Sequence, residues 1–162
     1  MIDSALPLSV AVAAICAGLM AGVYFAFSAF IMRSFDQLGA ASAAAAMNAI
    51  NRVILRSWFM PLFFGSTLIC TALAAVALFD ADLDGRWLLL AGAGTYVVGM
   101  FACTVLFNVP LNDRLARAGN RSSAGADFWP QYLQRWTRWN HLRGACSLAA
   151  MMLLMYYLVM KG

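Results

Sequence analysis

The chain has 162 residues, of which 64% are hydrophobic and 11% charged, with a mean hydropathy of +0.77. Soluble domains carry about a quarter of their residues as charges, so an ordinary soluble fold is excluded and a protein of the bilayer is indicated. The formal charge of +4 comes from arginines flanking apolar runs, a membrane-topology pattern that gives no ground for nucleic-acid binding.

Four runs are long enough to cross a hydrocarbon core, which takes about 20 helical residues: 6–32, 58–79, 87–107 and 139–160. The alternation of barrel strands is missing. The expected fold is all-α: a four-transmembrane-helix antiparallel bundle in a single integral membrane domain, residues 1–162, with an interfacial helix after the first span and a short helical segment leading into the fourth. Asp3 precedes the first run and no basic residue does, and the run exceeds the roughly 7–15 apolar residues of a cleaved signal, so it is expected to be retained. Gly18 and Gly22 within it form a GxxxG spacing, read as internal packing in preference to dimerisation.

Between the first two spans, residues 37–57 are rich in helix formers and place Met47, Ile50 and Ile54 at spacings of three and four. That pattern suits a helix on the membrane surface or over the bundle. "DADLDGR" (80–86) reads as a tight turn closing an antiparallel hairpin, its aspartates solvating the turn and not binding a cation. At the end of the third span, Pro110 removes a backbone donor and should kink or end the helix. A Gly/Ser/Ala-rich break follows at 116–127, and a helix restarts near Pro130 as a first-turn residue.

Eight arginines fall in the connections 33–57 and 108–138, against only Arg86 and Lys161 on the opposite side. Basic residues favour the cytoplasm, so these two connections are expected inside and both termini outside, in a bacterial inner membrane.

The same end collects polar side chains: Asn48, Asn51, Asn108, Asn112, Asn140, Arg143 and the single histidine, His141. Polar groups at membrane depth are costly unless paired or wet, so their gathering suggests a site. Taken singly, each has a plain structural reading. Asn108 and Asn112 would cap the break at Pro110, Arg143 would snorkel, Trp136 and Trp139 would form an aromatic belt, and His141 would bond a backbone carbonyl. At about 100° per residue, Asn140 and Arg143 share a face of the fourth helix while His141 lies nearly opposite Arg143. Only a wide pocket at the bundle mouth would receive both.

Other chemistries lack their residues. Cys16, Cys70, Cys103 and Cys146 fall singly in four spans with no CxxC pair, there is no glutamate, and every aspartate is expected in a terminus or loop. Thiol relays, multi-histidine copper, carboxylate-bridged iron and proton-driven transport are disfavoured. No metal site and no cofactor are expected, although a haem held by His141 and a methionine stays open without a supporting motif.

"AGVYFAFSAFIM" (21–32), "AMNAINRVILRSWFM" (46–60), "FNVPLNDRL" (107–115) and "WTRWNHLRG" (136–144) resemble the anthrone oxygenase family of small four-helix membrane proteins. Its fungal members oxidise anthrones to anthraquinones, while most bacterial ones are uncharacterised. The resemblance implies dioxygen and a hydrophobic aromatic molecule as partners alongside the lipid bilayer, and leaves the oligomeric state open. On this expectation His141 removes the substrate proton, while Arg143, Asn108 and Asn112 hold the oxyanion and neighbouring phenol oxygens. Asn48, Asn51 and Asn140 complete the polar rim, and Trp136 and Trp139 offer flat faces. The competing expectation is a non-catalytic membrane module that binds a quinone or lipid-like ligand, or an accessory subunit.

Overall fold

The computed structural model describes residues 2–119 and 124–161, and all regular structure among them is helical. Four helical stretches are long and apolar enough to cross a membrane: Ala5–Asp36, Phe59–Phe79, Arg86–Gly119 and Gly125–Lys161. The first joins α1 (Ile2–Ala26), a π-helical turn at Phe27–Ile31, and α2 (Met32–Asp36). The interfacial helix α3 (Ala40–Ile54) precedes the second span, α4 (Phe59–Phe79). The third span runs through α5 (Arg86–Thr95), π turns at Tyr96–Ala102 and Thr104–Asn108, and α6 (Val109–Gly119), and the last is α7 (Ala124–Lys161).

The spans form a closed ring in which α1 packs on α7, α7 on α5, α5 on α4 and α4 on α1. Small side chains make the close approaches. Gly92 and Gly99 of the third span sit against Leu154 and Cys146 of α7, and Gly18 of α1 sits against Met151. Gly22, the other half of the GxxxG spacing, has open space where a Cβ would project, so only Gly18 serves the internal contact. The hairpin between α4 and α5 is tight, as its sequence requires. Asp82 donates its backbone N–H to Asp80 Oδ1 at 3.2 Å, and Gly85 turns at φ 75°, where a Cβ would meet the Tyr157 ring at 3.1 Å.

The other end of the bundle differs from the sequence reading in three ways. The third helix does not stop near Phe107; it continues through Pro110 to Gly119. The Val109 N–H reaches Thr104 O, an i→i−5 bond, and this wide turn takes the preceding carbonyls away from the α-helical position in which the proline ring would clash. The fourth helix begins at Ala124, so Pro130 lies inside it and not in its first turn. Gly and Ala made this segment read as a loop, yet Trp129, Tyr132 and Trp136 bury against Met32, Met47 and Leu115, and such burial outweighs a propensity deficit of about 1 kcal/mol per glycine. The centre of the expected break, residues 120–123 with Arg121, lies outside the described residues. Third, not every aspartate is in a loop or terminus: Asp36 ends α2, Asp113 falls within α6 and Asp127 within α7.

These extensions give the bundle a helical cap. α3 runs over its mouth and packs on α6 and α7, burying Ala43, Ala44 and Met47. Trp129 Nε1 ties the cap to the end of the first span by donating to Asp36 Oδ1 at 2.9 Å. Both long connections therefore lie at one end.

Candidate functional site

Beneath the cap is a hollow of about 220 Å³, walled by Tyr24, Phe27, Phe59, Phe63 and Trp136 and carrying Arg143. Its wall follows from helix periodicity. α3 contributes Met47, Ile50, Asn51 and Ile54, with Leu55 just past its end, and α6 contributes Val109, Asn112 and Asp113; both sets have the three-and-four spacing of one helix face. An outer cleft of about 590 Å³ shares Asn51, Leu55, Asn112 and Asp113 with the hollow and adds Asn48 and Arg52. These four residues line both cavities, and their shared wall is the neck.

Arg143 defines the inner chamber. It is only 5% exposed and forms no ion pair among the described residues. One guanidinium nitrogen donates to Asn140 Oδ1 at 2.7 Å and another to Thr104 Oγ1 at 3.3 Å, while Nε has no partner. The group lies 4.4 Å from the Tyr24 ring centre and 5.2 Å from that of Trp136. A buried cation usually has a carboxylate, because desolvation costs several kcal/mol per ion. Here two aromatic faces and two neutral oxygens take its place, leaving a positive site toward the hollow.

Asn140 fixes that geometry. It is fully buried, and its Nδ2 donates to Tyr24 O and to Ser28 Oγ, both at 2.7 Å. With its oxygen turned to Arg143, the amide locks the guanidinium to α1 beside the π turn at Phe27–Ile31. Asn140 holds the cation from behind and does not line the chamber.

The remaining expected residues divide. Asn51 lines both chambers, and its buried Nδ2 has no partner. Asn112 also lines both and accepts from Tyr132 OH at 2.8 Å through Oδ1, which leaves its Nδ2 to donate. Asn48 is at the outer cleft, giving Nδ2 to Leu115 O at 3.4 Å while its Oδ1 is unpartnered. Trp136 is a wall of the inner hollow. Asn108, 1% exposed, is a buried strut that donates to Trp136 O at 3.3 Å; it spans two helices and does not cap its own.

Two expected residues lie elsewhere. Trp139 stacks on Phe107 at 3.7 Å between ring centres, nearly parallel. His141 is exposed and lines shallow grooves beside Gly22, Ser28 and Gly144 on the other side of α7. The angular separation from Arg143 already implied this. The pocket is not wide enough to wrap around α7 and receive both.

Sequence reading missed Tyr24, Thr104 and Asp113. Asp113 directly follows Asn112, but only a helix continuing through Pro110 puts Val109, Asn112 and Asp113 on one face. Among the described residues no three His, Cys, Asp or Glu side chains gather as a metal-ligand group.

The fold and site define a class: a small four-helix membrane protein with a capped, mainly apolar hollow whose lining includes the buried Arg143 cation, the Asp113 carboxylate, the Thr104 and Tyr24 hydroxyls and two amides. Residues 55–153 match the family model described as anthrone oxygenase. The match spans more than half of the chain, which belongs to the anthrone oxygenase family. It includes Phe59, Phe63, Thr104, Asn112, Asp113, Trp136 and Arg143, whereas Tyr24, Phe27 and Asn51 lie before it. No curated protein and no solved structure matches the chain.

Proposed function

We propose that the inner hollow binds a flat, hydrophobic phenolic ketone of the anthrone type and accelerates its oxidation by dioxygen to a quinone. In this reaction the methylene carbon loses two hydrogens and gains one oxygen atom, and the second oxygen atom leaves as water. The difficult intermediate is the anion formed when the methylene loses a proton, because its charge settles on the ketone oxygen. Once formed, so electron-rich an anion gives an electron to dioxygen directly, and the proposed reaction uses no resident cofactor.

The observation that carries this reading is Arg143, a buried guanidinium that forms no ion pair among the described residues and borders a mainly apolar hollow. Fixed donors in a site of low dielectric stabilise developing negative charge without reorganisation. Arg143 holds the oxyanion, Asn51 and Asn112 meet phenol oxygens at the neck, and the walls Phe27, Phe59, Phe63 and Trp136 cover the ring faces. The outer cleft admits the substrate and dioxygen.

Oxygen uptake by proteoliposomes supplied with dithranol tests the reading, after subtraction of the spontaneous rate in protein-free vesicles. A saturable rate above that background, with anthraquinone-type product, is expected. No acceleration would remove the oxygenase reading and leave a membrane module that binds a quinone or lipid-like ligand.

A further inference from the structure

Arg143 stabilises an anion but cannot accept a proton, so the proposed oxidation needs a base that borders the same hollow. We infer that Asp113 is that base, an assignment that rests on the oxygenase reading above. It is the one carboxylate among the residues lining the hollow. The imidazole of His141, the other natural choice, opens onto the opposite side of α7.

Position supports the role. Asp113 lies on the α6 stripe with Val109 and Asn112 that faces the hollow, and it also lines the outer cleft. Its side chain is exposed and belongs to both linings, so a proton taken from a molecule in the hollow has a route to solvent through the same carboxylate. The charged side chains facing it across these cavities, among the described residues, are Arg143 from α7 inside and Arg52 from α3 outside. It forms an ion pair with neither. In an anthrone the ketone oxygen and the methylene sit at opposite ends of the central ring. We place that oxygen at Arg143 and the methylene at Asp113, both of which line the hollow.

The steps balance. Asp113 takes one methylene proton, and the carbanion's electron pair moves onto the ketone oxygen beside Arg143. One electron passes to dioxygen, the resulting radical and superoxide join at the methylene carbon, and Asp113 returns its proton to give a hydroperoxide. Asp113 then takes the second hydrogen of that carbon as a proton while the C–H electron pair forms the new carbonyl. The O–O bond breaks, and the departing hydroxide becomes water with the proton from Asp113.

The test uses the full chain in proteoliposomes, with dithranol turnover and, separately, binding of its oxidation product 1,8-dihydroxyanthraquinone by visible absorbance. Asp113→Asn is expected to lower kcat by about 100-fold or more, the usual contribution of a positioned base, while product affinity changes by no more than about threefold. Asp113→Glu, which keeps a carboxylate, is expected to retain an intermediate rate. If Asp113→Asn does not fold, Asp113→Ser replaces it. Retention of wild-type kcat by the carboxylate-free variant would overturn the assignment, as would loss of turnover in His141→Ala beside an active Asp113→Asn. A wild-type protein that accelerates nothing would overturn the oxygenase reading and this inference together, an outcome distinct from an active wild type with an active Asp113→Asn.

Discussion

Replacing Arg143 by methionine separates the folding role of this residue from its chemistry. The guanidinium makes a short bond to Asn140 at 2.7 Å and a longer one to Thr104 at 3.3 Å, and it lies on the Tyr24 and Trp136 rings. Losing the charge-assisted bond costs about 1.5–3 kcal/mol, and each ring contact about 0.5–2 kcal/mol. Methionine has similar length and avoids the desolvation of an unpaired buried cation, itself several kcal/mol. These terms nearly cancel, so folding stability should stay within about 2 kcal/mol of wild type and Tm within about 8 °C. Catalysis has no such offset. Removing one preorganised oxyanion donor costs about 2.7–4 kcal/mol of transition-state stabilisation, about 100- to 1,000-fold in kcat. Arg143→Lys keeps the charge without the planar fork and should fall between. The assay is dithranol-dependent oxygen uptake in proteoliposomes beside a thermal melt in detergent. Undiminished turnover in Arg143→Met would refute the argument, and so would lost turnover accompanied by collapse of the melt, which would make Arg143 a structural residue.

Three further outcomes follow from the geometry. Gly99→Ala should destabilise the bundle by about 1–3 kcal/mol through overpacking, because the new Cβ would fall against Cys146 Sγ and 2.5 Å from its Cβ; an unchanged melt would show that the third span and α7 are not in close contact. Asn140→Leu removes the two bonds to the first span and frees Arg143, so kcat should drop together with about 1–3 kcal/mol of stability, and a loss of stability alone would detach Asn140 from the site. On the hairpin side, a hydrogen bond from Lys161 at 2.6 Å holds the Asp84 carboxyl below its usual range. A depressed folded-state pKa contributes stability above the unfolded value and loses it as pH falls through the folded value. The Tm of Asp84→Asn should thus lie slightly below wild type near neutral pH and converge with it at the acid end, and since Asp84 is fully exposed the gap should shrink with salt.

Much of this fold was legible because apolar length and turn chemistry are local signals. The 58–79 run and the Asp-rich turn after it emerge at nearly the expected bounds, since nothing but the membrane and a glycine at positive φ decides them. The cap was less legible, because its helices are made by burial against partners distant in sequence. Trp129 bonds Asp36 across 93 positions, and no window around "AGAD" or "NVPLND" contains that information. The candidate site divided along the same line. Periodicity alone set Asn140 and Arg143 on one face and His141 nearly opposite, and the structure keeps that arrangement. Asp113 was invisible for as long as Pro110 was read as an end to the helix.

Two π turns lie beside the buried cation and its amide partner. A regular α-helix uses every carbonyl internally, so it offers a neighbouring helix few acceptors inside the membrane. Wide turns relax that pairing and are frequent at functional sites. Two of them flank Arg143: Phe27–Ile31 on the first span and Thr104–Asn108 on the third. Tyr24 O, just before the former, and the Ser28 hydroxyl within it receive the Asn140 amide, and the hydroxyl of Thr104, which opens the latter, receives the guanidinium directly. Asn140 then has only its oxygen left for Arg143, which fixes both the position and the charge of that side chain. A carboxylate in place of this amide would neutralise the guanidinium and forfeit the two donations to the first span. The neutral amide orients the cation and leaves its charge available to an anionic guest.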